Sequence, residues 1–360
     1  MIDERDLLEQ AVRRFEPEPG LTERIYHRRD RKRRNQRITA RVVGIAVFVA
    51  AVWVVTTGGS FNGTQQPAVQ PTPTPPARTA PEPDYLIDLN TGEMTQLPKS
   101  ISIAGKSIGN GYTPNGYAVS PDGTMVAYVS GDNAGTPQVF IASLDGTDVQ
   151  QVTHDQRGAV EPDWSPDGAA IAYTSGAHMS GLEDVSNIFV LDLATGETSQ
   201  VTHEKPTTET CLSCPQGAAY PQFAPTGTSI VYEVHRGGEV DVRIVPVTGG
   251  KSVLLVDDAM SGTLSPDGST LAVGCGYPFP DRICIGHADG TNLRVLVRSP
   301  SLEPKWSPDG TRIAYVNLEN PPGDRVLVVD VATGATTFVA EGTVPEWLDD
   351  HTLIVEPVPQ

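Results

Sequence analysis

The sequence predicts an all-β fold: a six-bladed β-propeller closed by strands from both of its ends, preceded by a transmembrane helix and a proline-rich linker. Three observations lead to this prediction. A four-residue turn recurs at nearly regular spacing, each copy is followed by the same pattern of short strands, and each end of the repetitive region holds half of a repeat. The chain also has 35 Gly and 31 Pro in 360 residues, which is typical of many tight turns between short strands.

The recurring turn reads Ser-Pro-Asp-Gly. Four clean copies and one altered copy occur, at Ser120–Gly123, Ser165–Gly168, Ser265–Gly268, Ser307–Gly310 and Ala224–Gly227. A large apolar residue precedes each turn, and a sixth such residue continues the series at successive spacings of 45, 59, 41, 42 and 41 residues. These residues are Val119, Trp164, Phe223, Leu264, Trp306 and Trp347. A period of roughly 40 residues indicates a repeat architecture, here with six units.

Each unit continues in the same way after the turn. A short apolar strand such as "AIAY" comes first, followed by two strands around a second turn, as in "NIFVLDLATGETSQVT" from Asn187. Four short strands in each unit are the signature of a propeller blade. In the Ser-Pro-Asp-Gly turn, Pro presets one φ angle, Asp bonds to the local backbone, and Gly takes a φ that a side chain would forbid. We expect the large residue before the turn to pack between blades.

The two ends of the repetitive region complement each other. The segment "DYLIDLNTGEMTQLP" from Asp84 resembles the last two strands of a blade, whereas "EWLDDHTLIVEPV" from Glu346 contains only the first two. We therefore predict that strands from both ends pair in one shared blade, which protects both sheet edges. The predicted propeller covers residues 84–360.

Three segments are predicted before the propeller. Residues 1–41 are a basic cytoplasmic tail, residues 42–59 contain no charged side chain and are long enough for a transmembrane helix, and residues 60–83 are a Pro- and Thr-rich linker. The Arg- and Lys-rich stretch just before residue 42 predicts a cytoplasmic N-terminus and an extracytoplasmic propeller in a single-pass protein of the cell membrane. A cleaved signal peptide and a buried core helix are the alternatives.

Charge and cysteine content limit the partners. The net charge is −18, which argues against binding to a nucleic acid backbone. The four cysteines are Cys211, Cys214, Cys275 and Cys284, and an even number in an oxidising compartment predicts disulfides. For the Cys211–Cys214 pair, zinc binding and redox activity are alternatives, but the usual second pair of zinc ligands is absent from the sequence. We predict neither a metal nor a cofactor.

The repeat unit "WSPDGAAIAYTS…IFVLDLATGETSQVT" resembles the PD40 repeat, the WD40-like unit of TolB-type six-bladed propellers. The resemblance extends from Asp84 to about Val358. It implies a ring around a central channel, and it implies partners, because proteins of this group mostly bind other proteins in the cell envelope. TolB-type proteins carry an α/β domain before the propeller, where this sequence has the predicted anchor and linker. Only the propeller is therefore carried over from the resemblance.

A candidate site follows from the inner strands. The residues three positions before the large apolar ones are Gly116, Glu161, Tyr220, Ser261, Glu303 and Val344. In a propeller this is where the innermost strand begins, near the mouth of the channel. We predict that a ligand contacts the mouth, and the alternative is a solvated rim. The predicted ligand-binding residues are Glu161, Asp163, Tyr220, Glu303 and Lys305.

Catalysis has little support in the sequence. The segment Gly105–Gly109, "GKSIG", matches the nucleophile-elbow letters, but that motif needs a helix directly after it and a loop-like "NGYTPNG" follows. We therefore predict a non-enzymatic envelope protein whose propeller binds a protein or peptide ligand. The alternatives are a propeller that binds carbohydrate or cell wall, and a hydrolase or lyase that uses the channel mouth.

Overall fold

The computed structural model describes residues 84–97, 117–176, 185–206, 216–236, 238–276, 281–318 and 324–356. These residues form six antiparallel sheets of four strands each. The prediction of an all-β six-bladed propeller is confirmed. The predicted segments 1–41, 42–59 and 60–83 lie outside the described residues, as do Gly105–Gly109, Cys211 and Cys214.

The strands follow the chain blade by blade. The first two, β1 (Tyr85–Asp88) and β2 (Met94–Gln96), belong to the last blade. Blade 1 contains β3 (Tyr117–Val119), β4 (Met125–Gly131), β5 (Pro137–Ser143) and β6 (Gln150–Gln151). Blade 2 contains β7 (Ala159–Trp164), β8 (Ala170–Ser175), β9 (Asn187–Asp192) and β10 (Thr198–Gln200). Blade 3 contains β11 (Gly217–Phe223), β12 (Ser229–Arg236), β13 (Glu239–Pro246) and β14 (Val253–Val256).

The second half of the ring repeats this order. Blade 4 contains β15 (Ala259–Leu264), β16 (Thr270–Cys275), β17 (Arg282–His287) and β18 (Arg294–Val297). Blade 5 contains β19 (Ser301–Trp306), β20 (Arg312–Asn317), β21 (Arg325–Asp330) and β22 (Thr336–Glu341). Blade 6 contains β23 (Thr343–Trp347) and β24 (Thr352–Glu356), and β1 and β2 complete it.

Blade 6 is shared by the two ends of the repetitive region. Strand β1 runs antiparallel to β24, and the register pairs Tyr85 with Val355 and Ile87 with Leu353. Ile87 is only 4% exposed, and Leu353 is fully buried. The predicted closure is therefore confirmed. Strand β1, from the start of the repetitive region, forms the backbone hydrogen bonds that the edge of β24 would otherwise lack.

The hydrophobic core is divided among the blade interfaces. Six clusters of buried side chains lie in the described residues, and each lies between two neighbouring blades. Trp164 of blade 2, for example, packs with Ala127 and Val139 of blade 1. Its indole N–H donates to the Ala118 carbonyl oxygen at 3.0 Å. Because no blade buries both of its faces alone, stability depends on the complete ring.

The Ser-Pro-Asp-Gly turn is stabilised by its own side chains. In the blade 2 copy, Ser165 Oγ donates to Asp167 Oδ1 at 2.6 Å, and the Ala169 N–H donates to the same oxygen at 3.0 Å. These bonds to the charged form lower the pKa of Asp167, with the Ser165 hydroxyl as the largest cause. Gly168 has a φ of +70°, which closes the turn and explains why Gly occupies this position.

The described cysteines lie in blade 4. A disulfide joins Cys275 of β16 to Cys284 of β17, with 6.1 Å between their Cα atoms. The pairing of Cys211 with Cys214 stays a prediction. Within the described part of the chain, no helix is long and apolar enough to cross a membrane.

Candidate ligand site in the central channel

The innermost strands of five blades contain a bulge at the same place. In β7, β11, β15, β19 and β23 the pairing register shifts near the third residue before the end of the strand. The residue at each bulge has a positive φ although none is Gly, with values between 49° and 57°. These residues are Glu161, Tyr220, Ser261, Glu303 and Val344. A bulge turns a side chain away from the regular alternation. Four of these side chains line the cavity at the channel, whereas Val344 is buried between blades 6 and 1.

The sequence offers a local reason for the bulge. Four of the five bulge residues precede a proline, which cannot donate a ladder hydrogen bond. In blade 4 the following residue is Gly262, where an added Cβ would lie 2.3 Å from Val242 Cγ1. Positive φ at a residue with a side chain costs roughly 1–3 kcal/mol, so the packing of the ring must hold it.

The bulges bring the predicted residues together. Glu161, Tyr220, Glu303 and Lys305 line one cavity of about 40 Å³ at the channel, with contributions from blades 1 to 5. Asp163 is not among the lining residues, but its Oδ2 accepts a hydrogen bond from the Phe223 N–H at 2.6 Å. The remaining lining residues are Tyr117, Pro162, Pro221, Gln222, Ser261, Gly262, Thr263 and Pro304.

The Glu161 carboxylate contacts two blades, and only one of its two oxygens accepts the hydrogen bonds. Its Oε2 accepts hydrogen bonds from Thr174 Oγ1 at 2.7 Å and from the Tyr220 N–H of blade 3 at 2.8 Å. Among the residues that the structure describes, its Oε1 has no hydrogen-bond partner. The residue is 3% exposed, and this burial raises the pKa of Glu161 to about 7.

Glu233 plays the same part between blades 3 and 4, and the sequence analysis missed it. Glu233 Oε1 accepts the Ser261 N–H at 2.6 Å, and its Oε2 lies 2.8 Å from His235 Nε2. The available signal was a single acid within residues 230–234, a run that is otherwise apolar in the sequence.

A lysine reaches across the channel. Lys305 Nζ of blade 5 lies 2.5 Å from Glu346 Oε1 of blade 6 and 3.4 Å from Gln222 Oε1 of blade 3. Burial opposes the charge of Lys305, but Glu346 and Asp163 outweigh that effect and raise its pKa. Burial raises the pKa of Asp163 to about 7, against the opposing effect of Lys305. The Lys305 ammonium group therefore lies in the channel among carboxylates that include those of Asp163 and Glu346.

Every pair of neighbouring blades is joined near the channel by a hydrogen bond from one blade to the backbone of the other. Carboxylates of Glu161, Asp163 and Glu233 make this contact at two interfaces. Indole groups of Trp164, Trp306 and Trp347 make it at three. At the closing interface, the Tyr117 hydroxyl donates to the Val344 carbonyl oxygen at 2.5 Å. Several groups of the candidate site, among them Glu161, Asp163 and Tyr117, therefore also join neighbouring blades.

The buried acids predict a dependence of stability on pH. The pKa of Glu161 rises from 4.5 to about 7 on folding. Between these two pH values Glu161 is therefore mostly protonated in the folded protein and mostly ionised in the unfolded chain. We expect the free energy of unfolding to fall as pH rises through this window, with Glu161 contributing about 3 kcal/mol. Thermal unfolding measured at several pH values checks this.

Glu161→Gln is expected to remove part of that pH dependence, since an amide has no proton to lose in this range. Glu197→Gln, at an exposed position of the same blade, serves as the matched control and should leave the profile unchanged. Equal pH profiles for Glu161→Gln and the unaltered protein would contradict the assignment.

In the described part of the chain, no group of three or more His, Cys, Asp or Glu side chains is arranged to hold a metal ion. The arrangement instead offers carboxylates, one ammonium group and the hydroxyl of Tyr220 along a narrow opening. Such a surface can recognise polar groups presented from outside the ring.

The described residues define a six-bladed β-propeller with a bulged inner strand in five of its blades, and this fold is similar to that of TolB proteins. No family model matches the chain. A segment of 60 residues is 40% identical to the Tol-Pal system protein TolB of Xylella fastidiosa strain M12, covering 16% of this chain and 13% of that protein. A segment of 71 residues is 38% identical to TolB of Xanthomonas oryzae pv. oryzae strain PXO99A, covering 19% of this chain and 16% of that protein. The matches thus span less than a fifth of these relatives.

Solved structures show the same fold. TolB from Acinetobacter baumannii aligns with a TM-score of 0.54 and 17% identity, covering 74% of this chain and 66% of that chain. Hydrazine synthase of Kuenenia stuttgartiensis aligns with a TM-score of 0.54 and 13% identity, covering 77% of this chain and 44% of that chain. At these identities the likeness concerns the fold alone.

Proposed function

We propose that this protein is a non-enzymatic envelope protein whose propeller binds a protein or peptide ligand at the channel mouth. The observation that carries the proposal is the convergence of Glu161, Tyr220, Glu303 and Lys305 on one opening. The sequence likeness to a Tol-Pal system protein supports a role in protein interactions of the envelope.

The size of the opening favours a ligand that contacts the mouth from outside. The cavity measures about 40 Å³, whereas pockets that enclose a small molecule measure roughly 300–1,000 Å³. Lys305 and Glu346 further obstruct the channel. A peptide segment that lays one or two side chains on the rim fits these dimensions. Because carboxylates outnumber Lys305 around the channel, we expect the ligand to present a basic group.

The proposal includes the predicted topology. Residues 42–59 span the membrane, residues 1–41 lie in the cytoplasm, and residues 60–83 hold the propeller away from the bilayer. The charge-free stretch and the Arg- and Lys-rich segment before it support this arrangement.

Catalysis at the mouth is the second candidate function. One observation favours it: burial raises the pKa of both Glu161 and Asp163 to about 7, where a carboxyl group serves well in acid–base chemistry. Against it, Glu161 Oε2 and Asp163 Oδ2 already bind backbone N–H groups of blade 3.

Site-specific photo-crosslinking tests the proposal. Tyr220→p-benzoylphenylalanine places the probe on the cavity, and Tyr85→p-benzoylphenylalanine on β1 of blade 6 is the matched control. In native membranes we expect an adduct with a defined protein from position 220 only. Glu303→Gln in the same chain should lower its yield about five-fold, since a charge-assisted contact is lost.

Other outcomes point to the alternatives. No protein adduct together with retention on purified cell wall would favour a carbohydrate- or wall-binding role. Turnover of a substrate that is abolished by Glu161→Gln and Glu303→Gln together would favour an enzyme.

A further inference from the structure

A second, larger cavity lies away from the channel, between blades 4 and 5. It measures about 520 Å³, which is within the range of ligand sites. Its walls come from β18 and the residues after it, from β20 and β21, and from β22 with the turn before it. The lining residues are Leu296, Val297, Arg298, Ser299, Tyr315, Asn317, Arg325, Leu327, Gly334, Thr336 and Phe338. We call it the blade 4–5 groove.

An exposed aromatic ring forms one wall of the groove. The register of blade 5 aligns Tyr315, Leu327 and Phe338 in one row across three strands. Tyr315 and Leu327 pack inward against blade 4, whereas Phe338 is 55% exposed. A contiguous apolar patch rimmed by polar groups is characteristic of a contact surface, and Phe338 lines the groove together with Leu327 and two arginines.

The other blades show that the aromatic ring is not required by the fold. The position of Phe338 in the outer strand corresponds to Gln96 in blade 6, Gln151 in blade 1 and Gln200 in blade 2. Gln151 and Gln200 donate to nearby backbone carbonyl oxygens at 2.8 Å, and thus complete their own blades. Blade 5 has an exposed ring in place of this local hydrogen bond.

The charge of the groove is opposite to that of the chain around it. Residues 42–360 contain 14 Lys and Arg against 36 Asp and Glu. None of the described lining residues is acidic, and two of them, Arg298 and Arg325, are cations. The Arg325 guanidinium lies 5.8 Å from the centre of the Phe338 ring. Its buried Nε has no hydrogen-bond partner within the described part of the chain. Glu341 is its cross-strand neighbour on β22, yet the two make no ion pair.

We propose that the blade 4–5 groove binds an acidic peptide segment of another protein. A Glu or Asp carboxylate of that segment lies between Arg298 and Arg325, and an adjacent apolar side chain packs on Phe338 and Leu327. Guanidinium groups match a carboxylate with paired N–H donors, and aromatic and Arg residues dominate the energetics of such contacts. A saccharide fits less well, because its hydroxyl donors would meet no carboxylate acceptor among the described lining residues.

Two labelled octapeptides test this, one alternating Glu and Leu and the other alternating Lys and Leu. A chain with a net charge of −18 repels the acidic peptide in general, so tight binding of that peptide requires a local basic site. By fluorescence polarisation with the full chain at low salt, we expect the Glu–Leu peptide to bind about ten-fold more tightly than the Lys–Leu peptide.

Variants then assign the binding to the groove. Arg325→Gln and Phe338→Gln should each weaken the Glu–Leu peptide by about five-fold or more. Phe338→Gln introduces the residue that blades 1, 2 and 6 already use, so it preserves the fold. Arg294→Gln, an exposed arginine on β18 outside the groove, is the matched control and should change binding by less than about two-fold.

Three results would overturn the proposal. The first is equal binding of the two peptides, and the second is an equal effect of Arg294→Gln and Arg325→Gln. The third is tighter binding of oligogalacturonate, an acidic saccharide that serves as the carbohydrate probe, than of the Glu–Leu peptide. The groove variants leave the channel intact, and Glu303→Gln leaves the groove intact. Failure here is therefore distinguishable from failure of the proposed channel function.

Discussion

Deletion of residues 84–97 is expected to abolish cooperative unfolding of the propeller. The deletion removes β1 and β2 and exposes the edge of β24. It also removes Ile87 from the hydrophobic cluster between blades 5 and 6, and Leu97 from the cluster between blades 6 and 1. Because each blade is stabilised only by its neighbours, an open ring exposes two blade faces at once. Thermal unfolding and limited proteolysis of the full chain and the deletion variant measure the effect.

A milder change tests the same closure without removing strands. Ile87→Ala should lower the free energy of unfolding by about 2–4 kcal/mol, since Ile87 is 4% exposed and packs between blades 5 and 6. Met94→Ala on β2 is the control, because Met94 is 53% exposed and should cost less than about 0.5 kcal/mol. If the deletion variant resisted heat and protease as well as the full chain does, the closed ring would be wrong.

Lys305→Met is expected to destabilise the propeller by about 2–4 kcal/mol at pH 8, because it leaves the carboxylates of Asp163 and Glu346 in the channel without their cation. The estimate is at the lower end for a buried pair, since the side chains of Lys305 and Glu346 are 18% and 14% exposed. For a domain of this size the loss should appear as a fall of about 3–7 °C in Tm.

The pH dependence separates this effect from a simple loss of packing. Loss of the cation raises the pKa of Asp163 further above its present value of about 7, so at pH 5 this group is protonated and neutral in the variant. The difference in Tm between Lys305→Met and the unaltered protein should therefore shrink at pH 5. Lys251→Met, at an exposed turn after β13, should leave Tm unchanged at both pH values. A difference in Tm that is independent of pH would contradict the electrostatic account.

Much of the candidate site was predictable because it repeats with the blade. Counting three residues back from each large apolar residue located Glu161, Tyr220 and Glu303, and the same stretches supplied Asp163 and Lys305. Counting did not find Glu233, Glu346 or Tyr117, which also contribute to the channel. Glu233 lies on a second strand, and its role depends on the Ser261 N–H of the next blade.

The amino-acid sequence by itself determined the number of blades, the turn that ends each inner strand, and the pairing of the two ends. These features are local, since turn residues set φ and the alternation of side chains sets the strands. Only the tertiary structure decided which carboxylate meets which backbone N–H across a blade interface, that Lys305 reaches Glu346 and Gln222, and that Phe338 stays exposed beside Arg325. The physical reason is that these contacts join residues of different strands and blades, and their geometry depends on how the strands and blades pack against one another.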